Sequence, residues 1–217
     1  MDDYAHDAQS VGAGFDQTAG TYDELLLHNR QGADRLVDAL PPGDYPRIVD
    51  VGCGTGFASL AMVARRGTRH VVGVDGSAGM LDVFRSQAQG LTGVEVELHV
   101  GDAAHLPAPD AGADAVISTM AFHWFPDKQA AITEMARVVR PGGIVAVLAA
   151  GRGTDAELLS TMRAMDPPVP AAWTGVFDHI HRNPREMQEM LDTAGLVPVD
   201  VWSETRYRHT SPEAYLA

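Results

Sequence analysis

The sequence predicts a doubly wound α/β domain, a mostly parallel sheet with helices on both faces, and three observations carry that prediction. Short β-branched runs alternate with longer helical stretches through the middle of the chain. The runs are apolar almost throughout, which is the pattern of strands buried on both faces and therefore parallel. A glycine-rich turn joins the first strand to the helix that follows it, at the place where such sheets approach a ligand.

Taken in order, Ile48-Val49-Asp50-Val51 reads as the first strand, with a helix from about Phe57 to Arg66 behind it. Val71 to Val74 is the second strand, and Ser77 can cap a helix from Ala78 to about Gln89, its hydroxyl accepting from a first-turn amide. Val94 to Val100 alternates and reads as the third strand, and Ala115 to Ser118 as the fourth. Asp127 can cap a helix to about Val139; Arg140-Pro141-Gly142-Gly143 stops it and turns the chain into a fifth strand from Ile144 to Ala149. Before this core, Phe15 to Leu40 looks helical and ends at Pro41-Pro42-Gly43. After Gly151, Thr154-Asp155-Ala156-Glu157 has the form of a capping box, and Asn183-Pro184-Arg185-Glu186 opens a helix to about Ala194. Val197 to Tyr207 reads as a sixth strand. The expected organisation is one domain: a helical lid over 1–45, a ligand-binding core over 46–150, and substrate-side helices with a last strand over 151–217.

Length and charge narrow the function. A chain of 217 residues with 45% hydrophobic content has room for a full core. The net charge of −13 disfavours a protein that grips nucleic acid through its surface. Arg65, Arg66 and Arg69 form the densest basic cluster, and Lys128 is the only lysine. The one cysteine, Cys53, excludes an internal disulfide and any cysteine-based zinc cluster. The acidic N-terminus is unlike a secretory signal, and no apolar run approaches a membrane span, so a cytoplasmic protein is expected. His179 and His181 have metal-pair spacing without a carboxylate set beside them, and no metal is expected.

The glycine turn is Asp50-Val51-Gly52-Cys53-Gly54-Thr55-Gly56. Glycines at alternate positions allow a tight turn and close approach of backbone to a ligand. Asp75, with Gly76 beside it, lies 19 residues after Gly56 at the tip of the second strand, where a carboxylate can accept both hydroxyls of a ribose. An adenosine-type ligand follows. The spacing G-x-G-x-G differs from the G-x-G-x-x-G of nicotinamide and flavin sites, and Asp50 stands two residues before the first glycine. A carboxylate there repels a pyrophosphate but suits a ligand carrying an ammonium and a sulfonium, which is S-adenosylmethionine.

From about Phe15 to Gly143 the sequence resembles the class I S-adenosylmethionine-dependent methyltransferases of the small-molecule type. Asp50 to Gly56, Cys53 included, is similar to their first motif, and Asp75 with Gly76 to their ribose-binding acid. Gly101 to Pro107 resembles the adenine-reading segment, which implies that Asp102 meets the exocyclic amine and Ala103 offers backbone. A plain turn-capping role is the other reading of Asp102. Asp114 to Thr119 resembles the fourth-strand motif, which implies that Thr119 lies at the methionyl part. Phe15 to Asp23 is like the family's N-terminal lid, with Tyr22 over the cofactor. The family's sheet ends in a sixth strand and an inserted antiparallel seventh. The residues to Ala217 supply no seventh, so the expectation is either a truncated chain or an open sheet, its fifth strand exposed or covered by another subunit, a homodimer included.

Methyl transfer is an in-line displacement with a good leaving group, so positioning supplies much of the rate. Met120-Ala121-Phe122-His123-Trp124-Phe125 follows the fourth strand at the catalytic edge, and His123 is the candidate general base, or else a wall of the pocket. The aromatic neighbours can shape the substrate mouth. The A-x-H-W pattern also resembles methyltransferases of small carboxylic acids. Competing classes are a cofactor-binding but inactive partner protein and a nicotinamide-dependent oxidoreductase.

Overall fold

Consecutive residues of a strand point to opposite faces, so an unbroken apolar run such as Ile48-Val49 needs cover on both sides. The computed structural model, which describes residues 8–16, 18–25, 27–150 and 184–200, supplies it. Five strands, β1 (Arg47–Val51), β2 (His70–Asp75), β3 (Glu95–Val100), β4 (Ala113–Thr119) and β5 (Val139–Leu148), form one parallel sheet in the order β3-β2-β1-β4-β5. Ile48, Val71, Ala115 and Ile117 pack on one face, under α3 (Leu27–Ala39), α4 (Phe57–Arg65) and α5 (Ala78–Ala88). Val49, Val51, Val72, Val74 and Val116 pack on the other, against Ile132 and Met135 of α6 (Lys128–Val138). Each valine or isoleucine among them, fully buried, contributes about 1.5–3 kcal/mol to folding. A last helix, α7 (Pro184–Thr193), rests Met190 against this second layer and accepts a bond from Gln129 at its carbonyl, 3.3 Å away.

The chain runs from β1 out to β3 and then returns to β4 on the other side of β1. That reversal opens a crevice beyond the carboxyl ends of β1 and β4, which is where ligands bind in such sheets. The local signals expected at the helix starts are present. Ser77 accepts from the amide of Met80 at 3.1 Å, and Asp127 from that of Ala130 at 2.8 Å.

Three features differ from the sequence reading. The amino-terminal helical stretch is three helices, α1 (Ala8–Asp16), α2 (Tyr22–Leu25) and α3, and α3 belongs to the core: Ala33, Leu36, Val37 and Leu40 are buried against the sheet. The fifth strand starts at Val139, because a register slip opposite Ala113–Ala115 absorbs Arg140-Pro141-Gly142-Gly143 as a bulge. Residues 197–200 are not in a strand, and the rest of the expected sixth strand, like the capping box at Thr154 and the pair His179 and His181, lies outside the described residues. Among the described residues β5 has β4 as its only strand partner, and no helix is long and apolar enough to cross a membrane. The opposite edge, β3, is polar on its open face, where His70 meets Glu97 at 3.0 Å, a pattern that discourages edge-to-edge pairing.

Candidate cofactor and active site

The turn after β1 has three glycines at φ +70° (Gly52), +52° (Gly54) and +92° (Gly56), a backbone region in which a side chain is strained. The space around them separates their roles. A Cβ on Gly52 would lie 2.3 Å from Cβ of Ala121, and one on Gly56 2.3 Å from the ring of Phe84. A Cβ on Gly54 would meet nothing within 4 Å: it faces the open cleft. The amides of Gly52 and Cys53 donate to the carbonyl of Val74, and that of Gly54 to Oδ2 of Asp75 at 2.8 Å, so loop and acid form one unit.

Asp75 also accepts at Oδ1 from the amide of Ser77, 2.9 Å away. Each oxygen keeps acceptor capacity for a ribose hydroxyl. Burial raises the Asp75 pKa, with the amides of Ser77 and Gly54 opposing that shift. Asp50 lies deeper, 1% exposed, with Oδ2 bonded by the Ser59 hydroxyl at 2.7 Å. Burial pushes its pKa up to about 7; the Ser59 bond opposes this and the Asp75 charge adds to it. Asp102 accepts at Oδ1 from the amide of Ala104 at 3.0 Å, so it does cap its turn while lining the cleft beside Ala103. Cys53 is buried, and burial pushes its thiol pKa well up, which makes it packing rather than a nucleophile.

These groups line one cleft holding about 940 Å³ of free space, its solvent mouth included. Tyr22, Asp50, Gly52, Cys53, Gly54, Asp75, Gly76, Asp102, Ala103 and Thr119 all border it. Gly56 does not; it shapes the turn from behind. His123 does not border it either. Its ring is 6% exposed, beside Trp124, with Nδ1 3.4 Å from the amide of Ala150, while Trp124 and Phe125 face the cleft instead. Met120, at the end of β4, borders the cleft at φ +55°, a strained backbone of the kind that gathers at functional sites.

Several cleft residues escape sequence reasoning. Phe57 and Met80 look like core residues by their helical spacing, yet both form part of the wall. Phe15 stacks edge-on against Tyr22 (6.1 Å between centroids) and Trp124 (5.7 Å), which joins α1, α2 and the segment after β4. One available signal is the aromatic–acid pair that occurs twice seven residues apart, Phe15-Asp16 and Tyr22-Asp23.

The order of the sheet, the crevice at its reversal, and the three acids at the ends of β1, β2 and β3 define an adenosine-binding α/β enzyme fold. A methyltransferase domain family matches residues 49–147. The malonyl-[acyl-carrier protein] O-methyltransferase of Dechloromonas aromatica is 31% identical over 90% of this chain and 68% of its own length. The enzyme of that name from Methylococcus capsulatus is 37% identical over 72% of this chain and 57% of its own. This chain therefore spans between about half and two thirds of the length of such relatives. The fold is shared with a Thermotoga maritima S-adenosylmethionine-dependent methyltransferase at a TM-score of 0.62 and 20% identity, covering 85% of this chain and 80% of the other.

The chain belongs to the class I S-adenosylmethionine-dependent methyltransferases, and S-adenosylmethionine is its cofactor. The residues fit that group. Thr119 Oγ1 is buried at the cleft wall with no hydrogen-bond partner in the described structure, a place for a polar ligand atom. Asp50 and Asp75 are carboxylates on the cleft wall of the kind that a cation and a ribose would take, and the bare face of Gly54 leaves room beside them.

Proposed function

We propose that this chain methylates a carboxylate oxygen of a short acyl acceptor, the malonyl group on a carrier protein being the first candidate. The observation that carries this reading is the make-up of the cleft. Asp50, Asp75 and Asp102 line it together with Phe15, Tyr22, Met120, Trp124 and Phe125, and the buried His123 is not part of its lining. An alcohol or acidic carbon needs a base to take its proton, whereas a carboxylate is already ionised at neutral pH. The names of the curated relatives point to the same acceptor class.

In this reading Asp75 fixes the ribose, Asp102 and Ala103 hold the adenine, and Asp50 and Thr119 hold the methionyl end, so that the reactive carbon faces the aromatic wall. When bound, the cofactor supplies a methyl group whose carbon–sulfur bond breaks as the carbon–oxygen bond forms, leaving S-adenosylhomocysteine and a methyl ester. The aromatic residues exclude water from an approach in which opposite charges neutralise, which an apolar setting favours. His123 supports Trp124 and the start of the segment after β5; it moves no proton.

The test is a parallel assay of malonyl-carrier protein, malonyl-coenzyme A and matched alcohol and amine acceptors, with product methyl esters read by mass spectrometry. Ester formation from the carboxylates alone is expected. In the same assay His123→Gln should stay within about fivefold of wild type, against the loss of order 10²–10⁴ expected of a general base. Methylation confined to the alcohol or amine, or a loss of that size, would overturn the reading.

A further inference from the structure

Helices α1 and α2 reach across the cleft, and two carboxylates attach them to it. Asp16, at the end of α1, accepts at Oδ1 from the hydroxyl of Ser77 (2.6 Å), two residues beyond Asp75, and from the Gly79 amide (2.9 Å), both at the N-terminus of α5. Asp23, in α2, accepts at Oδ1 from the Thr55 hydroxyl in the glycine loop (2.7 Å) and at Oδ2 from Gln87. Between these attachments the neighbouring aromatics, Phe15 and Tyr22, line the cleft. The approach is close: a Cβ on Gly12 of α1 would lie 2.2 Å from the carbonyl oxygen of Gly76. The repeated aromatic–acid pair thus divides its labour, the ring toward the cleft and the acid onto the frame that holds the cofactor.

We propose that Asp16 and Asp23 are positioning residues that hold α1 and α2 over the cofactor cleft and set the rate at which cofactor leaves it. Hydrogen bonds to a charged acceptor are the strong ones, so two short pairs suffice to hold two short helices in place. Both attachments end on elements that also bind the cofactor: Thr55 belongs to the glycine loop, and Ser77 donates its amide to Asp75. Release of either acid therefore frees the cover without dismantling the sheet.

This inference rests on the cofactor reading for its kinetic half only. The experiment uses the full chain and has two readouts: hydrogen exchange of the α1–α2 segment without ligand, and the dissociation rate of S-adenosylhomocysteine. Asp16→Ala and Asp23→Ala should each speed exchange across that segment, leave the exchange of β1 and β4 unchanged, and raise the off-rate about tenfold or more. Asp16→Asn should stay within about threefold of wild type, because an amide oxygen can accept from both Ser77 and Gly79. Gln87→Ala, which removes one partner of Asp23 at a position outside the cleft lining, guards against a variant that fails to fold; it should loosen the segment to a lesser degree. Wild-type exchange in the alanine variants, or faster exchange with an unchanged off-rate, would overturn the proposal. A wild-type chain that binds no S-adenosylhomocysteine would refute the cofactor reading instead, and exchange would still decide the attachment.

Discussion

The glycine loop and the amino-terminal helices meet over the same cleft but are held there in opposite ways. The loop is fixed by backbone: three left-handed glycines, amides tied to Val74 and Asp75, and no room for a Cβ at Gly52 or Gly56. Helices α1 and α2 are fixed by side chains, through Asp16 and Asp23 and a chain of edge-on aromatic rings. The difference teaches which part is a permanent mould and which is removable. A backbone-built site changes only when the fold changes, whereas a cover held by carboxylates can open while the sheet stays intact.

The sharpest way to break the mould is Gly56→Ala. Its Cβ would enter the Phe84 ring at 2.3 Å from a φ of +92°, so overpacking and backbone strain add. We expect a loss of about 3 kcal/mol or more in chemical denaturation, with cofactor affinity falling only as the folded fraction falls. Asp75→Ala comes next. Loss of the ribose contacts proposed for it should weaken S-adenosylhomocysteine binding by about 30- to 1,000-fold in calorimetry, on the order of 2–4 kcal/mol. An unchanged affinity would remove Asp75 from the site.

A third test sharpens the electrostatic side of the contrast. With the Asp50 pKa pushed up to about 7, protonation competes with a cationic ligand. Binding the ligand's ammonium favours the ionised carboxylate, so affinity should rise with pH, by about tenfold from roughly pH 6 to pH 8, and Asp50→Asn should flatten that slope. The sign for stability is opposite. A raised folded-state pKa stabilises the ligand-free fold below the ordinary carboxylate range and loses that contribution as pH rises through about 7. Asp50→Asn should therefore flatten the ligand-free stability profile as well. The smallest effect belongs to surface pairing: Arg65 reaches Asp34 and Asp38 at 2.9 and 3.0 Å from an exposed position, and Arg65→Ala should cost no more than about 1 kcal/mol, least at high salt.

The loop was legible in local spacing, and the cover was expected over Phe15 to Asp23 from a resemblance, but what attaches the cover was not legible, for a physical reason. A G-x-G-x-G turn between an apolar strand and a helix encodes its geometry within seven residues, and Asp75 follows at the length of one helix and one strand. Asp16 and Ser77 are 61 residues apart, and nothing local marks them as partners; only the docking of α1 on α5 joins them. The same holds for His123. Its position after β4 suits a catalytic base or a pocket wall, and only the short helical turn Phe122–Trp124 reveals that Trp124 borders the cleft while the buried imidazole packs beside it. Strand–helix alternation likewise yielded the five strands, while the bulge that lets β5 begin at Val139 depends on its register against β4.

Cys53 has a consequence of a different kind. It is the only thiol in 217 residues, it sits at the hinge of the mould with its sulfur against Gly73, and burial keeps it protonated. Cys53 borders the cleft that Phe15 and Tyr22 of α1 and α2 also line, so a thiol-directed reagent approaches it from the cleft. The molecule therefore carries its own reporter, and the labelling rate times access to the cleft wall. A rate that rises when Asp16 or Asp23 is lost would time the cover rather than the sheet.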